Sequence, residues 1–184
     1  MPEFVLRSPD NPDFARVLEV RQLRDVEAFD FEIAPTEAEA AALARLLGAT
    51  ALRRMRLAGR LAPVDGGGWQ LDGKLGATVV QPCVVTLDPV TTRIDQPLRR
   101  VWLPATGRPA AEVVLAADAE EEPEALGDRI DLGLVATEAL ALAVPAYPRK
   151  PGAALRPPAA ESDEDRPRPF AALAALRGKL GDDG

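Results

Sequence analysis

The 184-residue chain contains no histidine and a single cysteine, Cys83. Those two counts exclude internal disulfides, imidazole proton relays, Ser-His-Asp or Cys-His couples, and any Cys/His zinc site built by one chain. The formal charge of −7 argues against a generic cationic nucleic-acid coat, yet it averages over blocks of opposite sign: residues 50–108 carry +5, between flanks of −5 (1–49) and −9 (109–165), with +2 at the end.

Alanine is abundant, 33 residues against eight aromatics, so the core must be light. Arginine outnumbers lysine 19 to 3, which weakens any inference from arginine as a residue type alone. No apolar run reaches the roughly 18 residues of a membrane span, and the start of the chain, Met1-Pro2-Glu3-Phe4, lacks the regions of a signal peptide. The expectation is a cytoplasmic protein with no membrane partner.

In chain order, residues 17–20 and 29–33 read as two short strands, the second alternating apolar and acidic. Thr36-Glu37-Ala38-Glu39 is a capping-box pattern opening a helix over 36–47, with Ala40, Leu43 and Leu47 on one face and Gly48 placed to end it. Residues 52–64 and 69–80 are two arms of a hairpin around Asp65-Gly66-Gly67-Gly68. Odd positions in both arms are apolar or small, and even ones carry Arg54, Arg56, Arg60, Asp72 and Lys74. Keeping the odd faces together requires paired residue numbers with an even sum, so a three-residue loop is favoured and Arg60 falls opposite Asp72. One face is then core; the other presents Arg54, Arg56 and Lys74 with one evident acidic neighbour.

Residues 83–87 read as a further strand before a turn at Asp88-Pro89, and 92–103 as another carrying Arg93, Arg99 and Arg100. The stretch 104–128, rich in Pro, Ala and acid, reads as a solvated loop. Its crowded glutamates lack the ligand spacing and the glycine of a calcium loop. Asp131 is a natural N-cap for an apolar helix over 132–144, closed by Pro145. Residues 149–168 read as a flexible linker, and 169–181, with Phe170, Leu173 and Leu176, as a tethered amphipathic helix.

Little of this carries enzyme chemistry. Gly66-Gly67-Gly68 sits inside a hairpin rather than between strand and helix, so it is a turn and not a phosphate loop. Cys83, with apolar neighbours and no histidine to lower its pKa, reads as a buried inert thiol. No carboxylate pair stands in an apolar setting. Neither a cofactor, nor a metal, nor a small-molecule substrate is expected.

Three separated segments resemble the YceD family, whose members are described as large ribosomal RNA subunit accumulation proteins. They are Cys83-Val84-Val85-Thr86-Leu87-Asp88-Pro89; Ile130-Asp131-Leu132 leading through Glu138 to Pro145; and Arg168-Pro169-Phe170-Ala171-Ala172-Leu173. In that family the first motif is often Cys-x-x-Cys with a following Pro. Here Cys83 and Pro89 match, Thr86 stands where the second cysteine would be, and nothing after Pro145 supplies a ligand. The resemblance therefore implies a metal-free branch.

The combined expectation is an α+β domain over 1–148: an antiparallel sheet of about five or six strands packed by two helices, with a tethered C-terminal helix. The resemblance implies a non-enzymatic role in accumulation of large-subunit ribosomal RNA. Arg54, Arg56, Arg60, Lys74, Arg93, Arg99 and Arg100 are the candidate contacts to ribosomal RNA or a pre-ribosomal particle; a solvated mixed-charge face is the plainer reading of the same residues. The alternative is an adaptor that meets a ribosomal protein or assembly factor through its acidic segments and the Phe170 helix.

Overall fold

A computed structural model describes residues 4–6, 12–104 and 123–155. The chain divides into two units, Met1–Pro151 and Gly152–Gly184. Of the second, only 152–155 are described, with Gly152 in the left-handed region at φ 78°. Pro169, Phe170 and the expected C-terminal helix lie outside the described residues, as does 105–122 of the acidic stretch.

In the first unit the order is β1 (Val17–Glu19), a 3-10 turn (Val20–Leu23), β2 (Phe29–Ile33), α1 (Glu37–Leu46), β3 (Ala51–Val64), β4 (Gly68–Pro82), β5 (Pro89–Pro104), β6 (Glu124–Leu126), β7 (Arg129–Asp131) and α2 (Leu132–Ala143). Strands β2-β3-β4-β5-β6 form one sheet, antiparallel except for the parallel β5–β6 pair, and β1 pairs with β7 in a separate two-stranded ribbon. The fold is α+β.

The hairpin adopts the register that its alternation demands. Val64 pairs with Gly68 across a three-residue loop, whose Gly66 and Gly67 take φ 86° and 79°, and Arg60 pairs with Asp72. Leu57, Leu61, Leu71, Leu75 and Val79 are consequently at most 1% exposed. Trp69 pairs with Trp102 on the same inner face. Both helices pack there: Leu43 and Ala44 of α1, and Val135, Ala136 and Leu140 of α2, complete one core with the strand residues.

The helices begin as their caps require. Thr36 Oγ1 accepts from Glu39 N–H while the Glu39 carboxylate accepts from Thr36 N–H, and Gly48 (φ 62°) follows the last turn of α1. Asp131 Oδ1 accepts from the N–H groups of Gly133, Leu134 and Arg16, so one carboxylate oxygen both caps α2 and ties it to the chain before β1. Gly133 permits this approach: a Cβ there would lie 1.9 Å from the Phe14 carbonyl oxygen.

Arg16, 8% exposed, makes the main ionic tie of the scaffold. Its guanidinium donates to both Glu39 oxygens at 2.9 Å and to the carbonyls of Ala15 and Ala34, and lies 4.5 Å from the Phe14 ring centroid. Bidentate bonding to Arg16 is the main reason the Glu39 carboxyl is held down at about 2.

Two sequence expectations are corrected. Residues 83–87 are not a strand but belong to the turn joining β4 to β5: Pro82 pairs with Pro89, Cys83 N–H donates to the Asp88 carbonyl, Leu87 N–H donates to the Cys83 carbonyl, and Leu87 takes φ 63°. The β-branched run Val84-Val85-Thr86 has a strand's composition, but tight closure of the long hairpin overrides it. The acidic stretch, read as loop through 128, contains β6: Trp102, Leu103 and Pro104 pair with Glu124, Ala125 and Leu126. Glu124 accepts from Trp102 Nε1 at 3.0 Å, which fixes one of the acidic residues to the edge of the sheet.

Candidate nucleic-acid interface

The outer face of the sheet is built by the residues that alternation turns away from the core. Register sets them in rows across the strands. Asp30, Arg60, Asp72 and Arg99 form one row, and charge alternates along it, with Arg60 3.2 Å from Asp30 and Arg99 3.8 Å from Asp72. Further along come Ala58 beside Lys74, then Arg56, Gly76 and Asp95, then Arg53, Thr78 and Arg93.

Beyond Arg56 the pairing slips by one: Arg56 faces Gly76, whereas Arg53 faces Thr78. Arg54 lies in this bulge at φ 52°, a conformation that costs a non-glycine residue about 1–2 kcal/mol. The slip lets Leu52 and Met55, three residues apart, both face inward, and it turns Arg53 and Arg54 outward together. Strict odd-even alternation hides Arg53 from the sequence reading.

The result is an open groove of about 580 Å³ lined by Arg54, Arg56, Lys74, Gly76 and Arg93, with Asp95 the one carboxylate lining it among the described residues. Lys74 Nζ is 2.9 Å from Asp95, and Arg56 is 3.7 Å from Glu32. Among the described residues, Arg54 and Arg93 have no carboxylate within 4 Å. The Lys74 ammonium, as hydrogen-bond donor first, holds the Asp95 carboxyl below its ordinary range, with Arg93 and Arg56 adding their charge.

Four of the candidate contacts therefore come together, Arg54, Arg56, Lys74 and Arg93. Arg60 and Arg99 share the face but belong to the balanced row. Arg100 is corrected: it pairs with the core residue Leu71, points to the inner face, and lies 3.4 Å from Glu124. The expectation of one acidic neighbour is also corrected, because Asp30, Glu32, Asp72 and Asp95 all contact cations of this face. The first two come from β2, whose pairing with β3 no local pattern discloses.

At the far end of the hairpin, Cys83 Sγ accepts from Val85 N–H (3.4 Å) and Lys150 N–H (3.3 Å), while Val84 N–H donates to the Pro148 carbonyl. Lys150 Nζ also reaches Asp88 at 3.0 Å. The turn carrying Cys83 and Pro89 is thus clasped to the segment after α2 that follows Pro145, and two of the resembling segments meet there. The thiol is buried, but the reading of an unshifted one is corrected: the Lys150 amide, then the Thr86 hydroxyl, bring its pKa down to about 6 without any histidine. The residues do not fit a tetrahedral metal site: the sulfur's neighbours are amides and a hydroxyl, and among the described residues no three metal-ligating side chains stand together.

The family model described as "Large ribosomal RNA subunit accumulation protein YceD" matches residues 71–177, more than half of the chain, and the match takes in most of β4 and all of β5 and α2. The chain belongs to the YceD family. No curated protein and no solved structure matches it. Among the described residues no helix is long and apolar enough to cross a membrane.

Proposed function

We propose that this protein is a cytoplasmic, non-enzymatic factor supporting the accumulation of large-subunit ribosomal RNA, and that it contacts RNA phosphates through the outer-face groove. The family's description supports the process. The observation that carries the contact is the convergence of Arg54, Arg56, Lys74 and Arg93 in one groove, against Asp95 within it and Glu32 beside Arg56, on a protein whose net charge is −7. A protein that repels nucleic acid on average needs such a concentrated patch to bind it at all.

The ion pairs on this face do not oppose the reading. They are solvent-exposed and worth at most about 1 kcal/mol each, so a phosphate can replace a carboxylate partner at small cost. Arg60 and Arg99 are auxiliary contacts in this account, and Arg100 is a scaffold residue. The adaptor reading rests on the acidic segments, of which 105–122 lie outside the described residues, and on a Phe170 helix that lies outside them altogether.

The test is replacement of the chromosomal copy by an Arg54→Ala/Arg56→Ala/Lys74→Ala variant. Its expected outcome is loss of co-sedimentation with large-subunit precursors and a fall in large-subunit ribosomal RNA, with the variant present at normal levels. Normal sedimentation and normal RNA levels would refute the reading.

A further inference from the structure

Within the groove, one residue has the wrong sign for a simple phosphate site. Asp95 stands on β5 directly opposite Gly76, with Arg93 two residues away on the same face and Lys74 2.9 Å from its Oδ1. Gly76 contributes no side chain, and a Cβ there would touch only Arg56 Cγ, at 4.0 Å, so the space between Arg56 and Asp95 is open. The fold does not require the carboxylate, because its side chain is 46% exposed and its partner Lys74 64% exposed, a surface pair that contributes little to stability.

A carboxylate in that position repels phosphate and can only accept hydrogen bonds. Along a nucleic-acid backbone the phosphate and ring oxygens are all acceptors. The ribose 2′-hydroxyl is the one donor, and DNA lacks it. Register sets Asp95 two residues from Arg93 on β5 and across Gly76 from Arg56, so a strand whose phosphates engaged those two arginines would present a sugar to the open space beside Asp95.

Building on the proposed RNA contact, we infer that Asp95 is the residue by which the groove selects RNA over DNA, accepting a hydrogen bond from a ribose 2′-hydroxyl. In RNA that bond offsets the repulsion between the carboxylate and the flanking phosphates. In DNA the repulsion stands alone.

The experiment measures fluorescence anisotropy of the full-length protein with single-stranded RNA and DNA of matched sequence, for wild type and Asp95→Ala. Wild type should prefer RNA by roughly tenfold, and Asp95→Ala should bind DNA several-fold tighter, bringing the preference to within about twofold. Circular dichroism should show the variant as folded as wild type. An unchanged RNA-to-DNA ratio overturns the inference, and so does tightening of both ligands by the same factor, which is what base recognition or general repulsion would give. In both cases RNA binding by wild type leaves the proposed function standing. If wild type binds no RNA, the proposed function fails and this selectivity fails with it.

Discussion

The two ends of the outer face carry the same residue types on the same strands, yet they differ in electrostatic character. At one end Asp30, Arg60, Asp72 and Arg99 alternate in sign across four strands. At the other, among the described residues, Arg53, Arg54, Arg56, Lys74 and Arg93 face only Glu32 and Asp95. The difference comes from register. As far as Arg56 the hairpin keeps one pairing, which sets Arg60 between two aspartates; at the bulge the pairing slips, and two consecutive arginines turn outward with no carboxylate of the described residues beside them. Charge surplus on a sheet is thus created by a backbone irregularity as much as by composition.

The comparison breaks most severely when the shared scaffold fails. Arg16→Ala leaves the Glu39 carboxylate in a partly buried site without its bidentate partner and should cost about 3–5 kcal/mol in chemical denaturation, moving both ends together. The same pair gives a pH dependence. The Glu39 carboxyl is lowered to about 2 in the folded chain from 4.5, so its stabilisation is complete above about pH 4.5 and is lost as pH falls toward 2. Denaturation midpoints followed through that window should reveal a loss about 3 kcal/mol larger in wild type than in Glu39→Gln.

A finer way to sharpen the contrast is to unbalance the neutral row. Asp72→Asn removes the carboxylate beside Arg60 and Arg99 and should tighten RNA binding about threefold in a filter assay, making this end resemble the other. No change would mean that the groove alone recruits RNA.

The smallest expected effect separates strain from charge at the bulge. Arg54→Gly places the residue suited to φ 52° there and removes one cation. Thermal unfolding should show equal or higher stability, by up to about 1 kcal/mol, while RNA affinity drops roughly twofold to threefold. A loss of stability would show that the Arg54 side chain packs rather than waits for a ligand.

How much of this was legible follows from which signals are local. The hairpin register was legible because odd-even alternation and a glycine-rich loop admit few solutions, and Arg60 opposite Asp72 follows directly. The capping box and the Asp131 cap were legible for the same reason. The inward position of Arg100 was missed, although the even-numbered apolar positions Ile94, Leu98 and Trp102 on its own strand carry the signal for it. The bulge left one trace, the odd spacing of Leu52 and Met55 against the alternation that follows. The pairing of Asp30 and Glu32 with β3 left none, since strand order is a tertiary choice. The turn at 83–88 was misread because β-branched residues favour strands only where the chain has room for one.

The most direct measurement of the central claim is the salt dependence of binding to a large-subunit ribosomal RNA fragment, for wild type, Arg54→Ala/Arg56→Ala/Lys74→Ala and Arg60→Ala/Arg99→Ala. If the groove holds three phosphates, the triple variant should lose about 2 from the slope of log affinity against log salt concentration, and the balanced-row variant should lose less than about half as much. Equal slopes for the triple variant and wild type would contradict the account.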